Sequence, residues 1–217
     1  MSAVKTLADL ASTNGLHILG VAPTSISDGL DPSLHSIVLL GPDEPRFWSL
    51  FQGSPEASDD QPDPIDRWST RVIGGLATEV DGTALFPFGG PPYLPFLTWA
   101  TRTGRVWASP VGLFVHETCG LFVSFRGAIG LKSAAPGASE ATSPCESCDE
   151  KPCLTACPVN AFADHSYDVP ACKSWLKTGA GAACRGGGCL VRRACPVGAG
   201  KRLAAQSAFH MEAFAPA

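Results

Sequence analysis

Val4, Leu7, Ala8, Leu10 and Ala11 recur at helical spacing within residues 2–13, so a short amphipathic helix is expected there, ended by Asn14-Gly15 in the left-handed conformation. The apolar runs LHILGVA (16–22) and SIVLLG (36–41) read as strands. A helix is expected at 46–51, followed by an exposed loop over 52–66, rich in Pro, Asp and Ser. Ile65, Trp68, Val72, Ile73 and Leu76 then give one apolar face to a helix over 63–79. Asp81-Gly82 turns the chain into ALFPFGGPPYLP, which its prolines keep extended or irregular. Residues 96–103 read as another short helix, and VWASPVGLFVHETCGLFVSFRGAIGL (106–131) as two apolar strands joined near 117–120.

The pattern changes after residue 131. KSAAPGASEATSP (132–144) has linker composition. Beyond it large apolar side chains are sparse (Phe162, Tyr167, Trp175, Phe209, Phe214) and glycine clusters at 179–188. Such a tail has little core of its own and needs a staple, which a metal would supply. The expected organisation is an α+β chain with a domain over 1–133, a linker over 134–144 and a cysteine-rich domain over 145–217. Trp48, Trp68, Trp99 and Trp107 are most simply core.

Composition narrows the function. The 217 residues are 45% apolar and 17% charged, a globular balance. The net charge of −4 splits into −5 (13 acids, 8 bases) before residue 134 and +1 (7 acids, 8 bases) after it, so neither half announces a DNA or anionic-membrane surface. No apolar run reaches the ~18 residues of a membrane span. The start MSAVKTLADL has one lysine and no apolar stretch of secretory type, so a cytoplasmic protein is expected. Of nine cysteines only Cys119 lies in 1–133, and eight crowd into 145–195. In a reducing compartment clustered cysteines read first as metal ligands.

Cys145, Cys148, Cys153 and Cys157 are spaced x2, x4, x3 and followed by Pro158; Cys184, Cys189 and Cys195 are spaced x4, x5 and followed by Pro196, with Cys172 upstream. The two runs share a C-x4-C step and end in CPVNAF and CPVGAG, an internal repeat. This resembles the two-cluster ferredoxin pattern, in which the Cys-Pro cysteine ligates the other cluster. The resemblance implies one [4Fe-4S] cluster on Cys145, Cys148, Cys153 and Cys195 and a second on Cys157, Cys172, Cys184 and Cys189. The sequence departs from the ferredoxin pattern in its x4 steps and in the wide gap from Cys172 to Cys184. Two zinc sites, disulfides and a degenerate one-cluster domain are the competing readings. Two all-thiolate cubanes form a wire for single electrons fed by a soluble donor, and Lys173, Lys177, Arg185, Arg192, Arg193, Lys201 and Arg202 would offset their charge.

The front shows no dinucleotide or phosphate-binding glycine motif and no Ser-His-Asp arrangement. The tail, with Cys172 in PACKSWLKT, resembles the ferredoxin module of epoxyqueuosine reductases and reductive dehalogenases. LHSIVLLG resembles a strand of those reductases, while PFGGPPYLPFLTWATRTG and SPVGLFVHETCGLFVSFRGAIGL resemble cobalamin-processing proteins of the CblC type. The resemblance implies a nitroreductase-like front domain that binds base-off cobalamin and a two-cluster tail that reduces cobalt, an oxidoreductase for cobalamin reduction or upper-ligand removal. No Gly-Lys-Asn segment matches epoxyqueuosine reductases, which disfavours the alternative of a tRNA enzyme. The other alternative is a ferredoxin-type carrier whose front docks a partner enzyme. Candidate cobalamin contacts are Phe88, Gly89, Gly90, Pro110, Gly112, His116, Cys119, Ser124 and Arg126, with His116 alternatively satisfied by a turn, Cys119 a small apolar residue and Arg126 structural. Flavin is an alternative occupant of the front.

Overall fold

The computed structural model describes residues 3–134, 139–163 and 166–216. Ser2 of the expected first helix and positions 135–138 of the expected linker lie outside these residues. In chain order the elements are α1 (Ala3–Thr13), β1 (Leu16–Pro23), β2 (Ser36–Pro42), α2 (Arg46–Gln52), α3 (Pro64–Glu79), β3 (Thr83–Leu85), α4 (Phe96–Arg102), β4 (Val106–Ala108), β5 (Phe114–His116), β6 (Gly127–Leu131), α5 (Val169–Leu176), α6 (Ala182–Gly187), α7 (Leu190–Ala194) and α8 (Ala204–Phe214). The fold is mixed α+β, and every strand pair described is antiparallel. No helix among the described residues is long and apolar enough to cross a membrane.

The chain divides into two compact units, Met1–Arg105 with Ser124–Ala141, and Val106–Val123 with Thr142–Ala217. In the first, four strands are ordered β1-β2-β6-β3. β2 is buried at every position, which is why SIVLLG is an unbroken apolar run and not an alternating one. Leu7 of α1, Phe47 of α2, Ile73 of α3 and Trp99 of α4 are buried in this unit with Leu39, Leu40 and Ile129 of the sheet. Trp48 and Trp68 are buried as well, whereas Trp107 of the second unit is only partly so. The segment expected as an exposed loop at 52–66 contains a 3-10 turn, Pro55–Ala57, and buries Ser54 and Glu56. Arg71 on α3 reaches the Glu56 carboxylate with bonds of 2.5 and 2.9 Å, which makes that burial tolerable.

The stretch 106–131 differs from the two long strands expected. Pro110 has no N–H to give a ladder, and Ser109-Pro110-Val111-Gly112 closes a turn instead. Gly112 N–H donates to the Ser109 carbonyl (2.9 Å) and Ser109 N–H to the Leu113 carbonyl (2.8 Å), so β4 and β5 pair with each other. β6 belongs to the other unit, between β2 and β3. The boundary therefore does not fall at 133: the β4–β5 hairpin groups with the cysteine-rich tail. This answers the shortage of apolar side chains there. Val111, Val115 and Leu121 of the hairpin segment form one core with Cys153, Val191 and Cys195.

Candidate metal centre

The second unit presents its cysteines from short elements and turns. Cys172 rides the first turns of α5, whose start is held by the Asp168 carboxylate accepting the Ala171 N–H at 2.9 Å. Cys184 lies in α6, and Cys189 is the residue that starts α7. Cys145, Cys148 and Cys153 come from the loop around a 3-10 turn, Pro152–Leu154. The sequence repeat has a backbone counterpart. Three residues past each Cys-Pro cysteine, Asn160 (φ 50°) and Gly198 (φ 71°) both take the left-handed conformation. After the first turn Ala161 N–H donates to Cys157 Sγ at 3.2 Å.

The thiols gather in two sets across this repeat. Cys145, Cys148, Cys153 and Cys195 line one hollow, with about 370 Å³ of atom-free space that is partly open to solvent. Ser109, Pro110, Val115 and Leu121 from the hairpin segment wall it, together with Pro144, Lys151, Pro152, Pro196 and Val197. We call it site one. The sulfur of Cys172 has Cys189, Cys157 and Cys184 as its electrostatic neighbours, and Cys184 has Cys189 and Cys157; these four form site two. Cys153, Cys184 and Cys195 are buried and the other five half-buried.

Burial pushes the Cys145, Cys153, Cys172 and Cys184 thiols up, and sulfurs of the same set push in the same direction. Four such thiols can ionise together only around compensating positive charge. Hydrogen bonds partly offset the burial: the Ser143 hydroxyl supports Cys145, the Tyr167 hydroxyl Cys172, and the Leu190 N–H Cys184. Among the described residues no group of three or more His, Cys, Asp or Glu is arranged to hold one metal ion. A lone zinc needs thiolates converging at about 2.3 Å, which leaves no hollow between them, whereas a cubane needs four sulfurs set around a space. At site one, all-sulfur donors around a hollow fit an iron–sulfur cluster.

The nine front candidates are divided between the two units. Phe88, Gly89, Gly90, Ser124 and Arg126 belong to the first unit, and Pro110, Gly112, His116 and Cys119 to the second. Arg126 bonds Asp66 at 3.2 Å, and its N–H bonds the Leu40 carbonyl at 2.9 Å. The Ser124 carbonyl closes on Gly41. His116 is fully buried, and its Nδ1 accepts the N–H of Thr118 (3.1 Å) and Cys119 (3.3 Å), so the ring is engaged by its own turn. Cys119 is half-buried, and its backbone closes on Gly198. Pro110 walls site one, and Gly112 (φ 75°) serves the hairpin turn. Phe88 stacks on Phe86 with centroids 5.2 Å apart, Gly89 faces open space, and Gly90 closes on Pro92.

No protein family, curated protein or solved structure matches the chain. The hairpin's contribution to site one was not read from the sequence, although Ser-Pro-Val-Gly carries a turn signature that would have cut the strand at Pro110.

Proposed function

We propose that this protein is a carrier of single electrons, with one [4Fe-4S] cluster on Cys145, Cys148, Cys153 and Cys195 and a second on Cys157, Cys172, Cys184 and Cys189. The observation that carries the reading is the grouping of eight thiols into two sets of four, each drawing one sulfur from the other half of the repeat. When bound, a cluster with four thiolate ligands supplies one-electron transfer and no open iron position. The chain's own groups do the rest. Pro158 and Pro196 follow the exchanged cysteines, a left-handed residue stands two positions after each proline, and the Ala161 N–H donates to Cys157 Sγ. Pro110, Val115 and Leu121 wall site one with apolar atoms, limiting solvent contact with its sulfurs. The test is anaerobic purification with metal analysis. About eight irons per chain and a broad visible absorption bleached by dithionite support the reading; stoichiometric zinc in a colourless protein overturns it.

A second reading, that the electrons serve cobalt in a bound cobalamin, rests on the resemblance of residues 87–104 and 109–131 to cobalamin-processing proteins and on one observation in the first unit. In the same segment as the Phe86–Phe88 stack, Tyr93 is 66% and Leu97 56% exposed, and exposed apolar side chains are what a flat macrocycle covers. The test is the visible spectrum of hydroxocobalamin mixed with loaded protein under anoxia. A base-off spectrum supports it; an unaltered spectrum leaves a carrier whose front domain docks a partner enzyme, and yellow protein as purified points to flavin.

A further inference from the structure

The β4–β5 hairpin brings to site one a polar group that its own backbone does not use. Ser109 directly follows the last ladder pair, Ala108 with Phe114, and is only 6% exposed. Its backbone is engaged in the turn: the N–H donates to the Leu113 carbonyl at 2.8 Å and the carbonyl accepts the Gly112 N–H at 2.9 Å. Pro110, whose ring fixes its φ, and Gly112, at φ 75°, complete that turn and hold Ser109 in place.

A serine that opens a turn ordinarily accepts the N–H two residues on with its hydroxyl. Ser109 makes no such bond: among the described residues its Oγ is buried and has no hydrogen-bond partner. A buried hydroxyl left unpaired is costly, and in folded chains nearly all such groups have a partner. The surroundings identify that partner. Ser109 walls the hollow of site one together with Cys145, Cys148, Cys153 and Cys195, and Val115 and Leu121 of the same segment pack in one core with Cys153 and Cys195. Among the side chains of that wall Lys151 is exposed and has no acceptor, and the others besides the cysteines are apolar, which leaves sulfur. A neutral thiol is a weak acceptor, whereas the sulfurs of an iron–sulfur cluster carry negative charge and accept readily.

We infer that the Ser109 hydroxyl is a cofactor contact of site one, donating a hydrogen bond to a cluster sulfur and raising the reduction potential of that cluster. This rests on the two-cluster reading. Reduction adds one electron, and so one negative charge, to the cluster; the proton stays on Ser109 Oγ and its hydrogen bond strengthens, which favours the reduced form over the oxidised one.

The experiment is an anaerobic redox titration of the reconstituted full chain followed by electron paramagnetic resonance, with Cys148→Ser marking which signal belongs to site one. Ser109→Ala removes a hydroxyl that makes no bond elsewhere in the fold, and it should load about eight irons per chain. Its site-one midpoint should fall by about tenfold in the reduced-to-oxidised ratio at fixed potential, which is about 59 mV for one electron, with site two unmoved. In deuterated buffer the reduced parent should show an exchangeable deuteron coupled to site one that Ser109→Ala lacks. Ser109→Thr and Ser109→Val share one shape and differ by the hydroxyl, so the first should keep the parent midpoint and the second should match Ser109→Ala. Ser147→Ala, which alters an exposed serine whose hydroxyl donates to the Pro144 carbonyl at 3.4 Å, should leave both midpoints in place. If Ser109→Ala fails to load site one, Ser109→Thr and Ser109→Val decide, and identical behaviour of the two overturns the inference. Ser109→Ala protein with about eight irons and both midpoints at the parent values overturns the inference and leaves the two-cluster reading standing. A parent chain that takes up no iron overturns both.

Discussion

Gly120 lies against Cys195: a methyl group on its α-carbon would stand 3.0 Å from the sulfur and run into the Val197 carbonyl. Its φ of 56° is also left-handed, so any other residue there is strained twice. We predict that Gly120→Ala costs more than the ~1–2 kcal/mol of the backbone conformation alone, and that the damage falls on site one. Iron content should drop from about eight to about four per chain. A variant that retains its full iron content would refute this placement of the hairpin.

The exchange of one cysteine between the halves makes a sharper claim about ligand variants. Cys195→Ser should behave like Cys148→Ser and not like its sequence neighbour Cys189→Ser, because Cys195 stands with Cys145, Cys148 and Cys153. Likewise Cys157→Ser should resemble Cys184→Ser. The electron paramagnetic resonance signal remaining in each reduced variant makes the comparison.

The ion pair between Glu56 and Arg71 sets a pH dependence. Hydrogen bonding from Arg71, opposed by burial, brings the Glu56 carboxyl down from 4.5 to about 2. A carboxyl lowered in the folded chain contributes stability that is present above the unfolded value and disappears as pH falls from about 4.5 to about 2. Because Arg71 is half-exposed, the contribution is about 1 kcal/mol, or about 2–4 °C in melting temperature. Glu56→Gln should lower the melting temperature by that amount at pH 7 and by much less near pH 2.5. Thermal scans across this range test it; equal losses at both ends would exclude the pair as the cause.

Asp28 is only 6% exposed and is gripped by Arg102 through bonds of 2.7 and 3.0 Å, with Ser25 N–H donating at 2.7 Å. Burial pushes the Asp28 carboxyl up, but these bonds outweigh it and leave it below its usual range. Arg102→Ala would strand the carboxylate, at a cost of about 3–5 kcal/mol. The double variant Asp28→Asn, Arg102→Leu should recover part of this loss, as read from urea midpoints. A single variant as stable as the parent would show that solvent reaches Asp28 freely.

Much of the first unit was legible because its signals are local. The i, i+3, i+4 spacing of Ile65, Trp68, Val72, Ile73 and Leu76 describes α3, where all five are buried, and the unbroken run at 36–41 describes a strand covered throughout. Glu56 was not legible, since an acidic side chain in a Pro- and Asp-rich stretch reads as exposed until Arg71, fifteen residues on, is seen to reach it. Nor was the home of the hairpin. Apolar spacing states that Val111, Val115 and Leu121 need burial, and cannot state against what.

By itself the sequence determined the donors and their spacing: eight cysteines in two runs closed by Cys-Pro, with acids in one run and arginines in the other. Those follow from residue chemistry and do not depend on the path of the chain. Tertiary structure alone decided that Val106–Val123 leaves its sequence neighbours to complete the core around Cys153 and Cys195. The physical reason is that burial is shared between segments. A tail too poor in apolar side chains to enclose its own thiols takes that surface from a hairpin far back in the chain, and no local pattern records which segment will supply it.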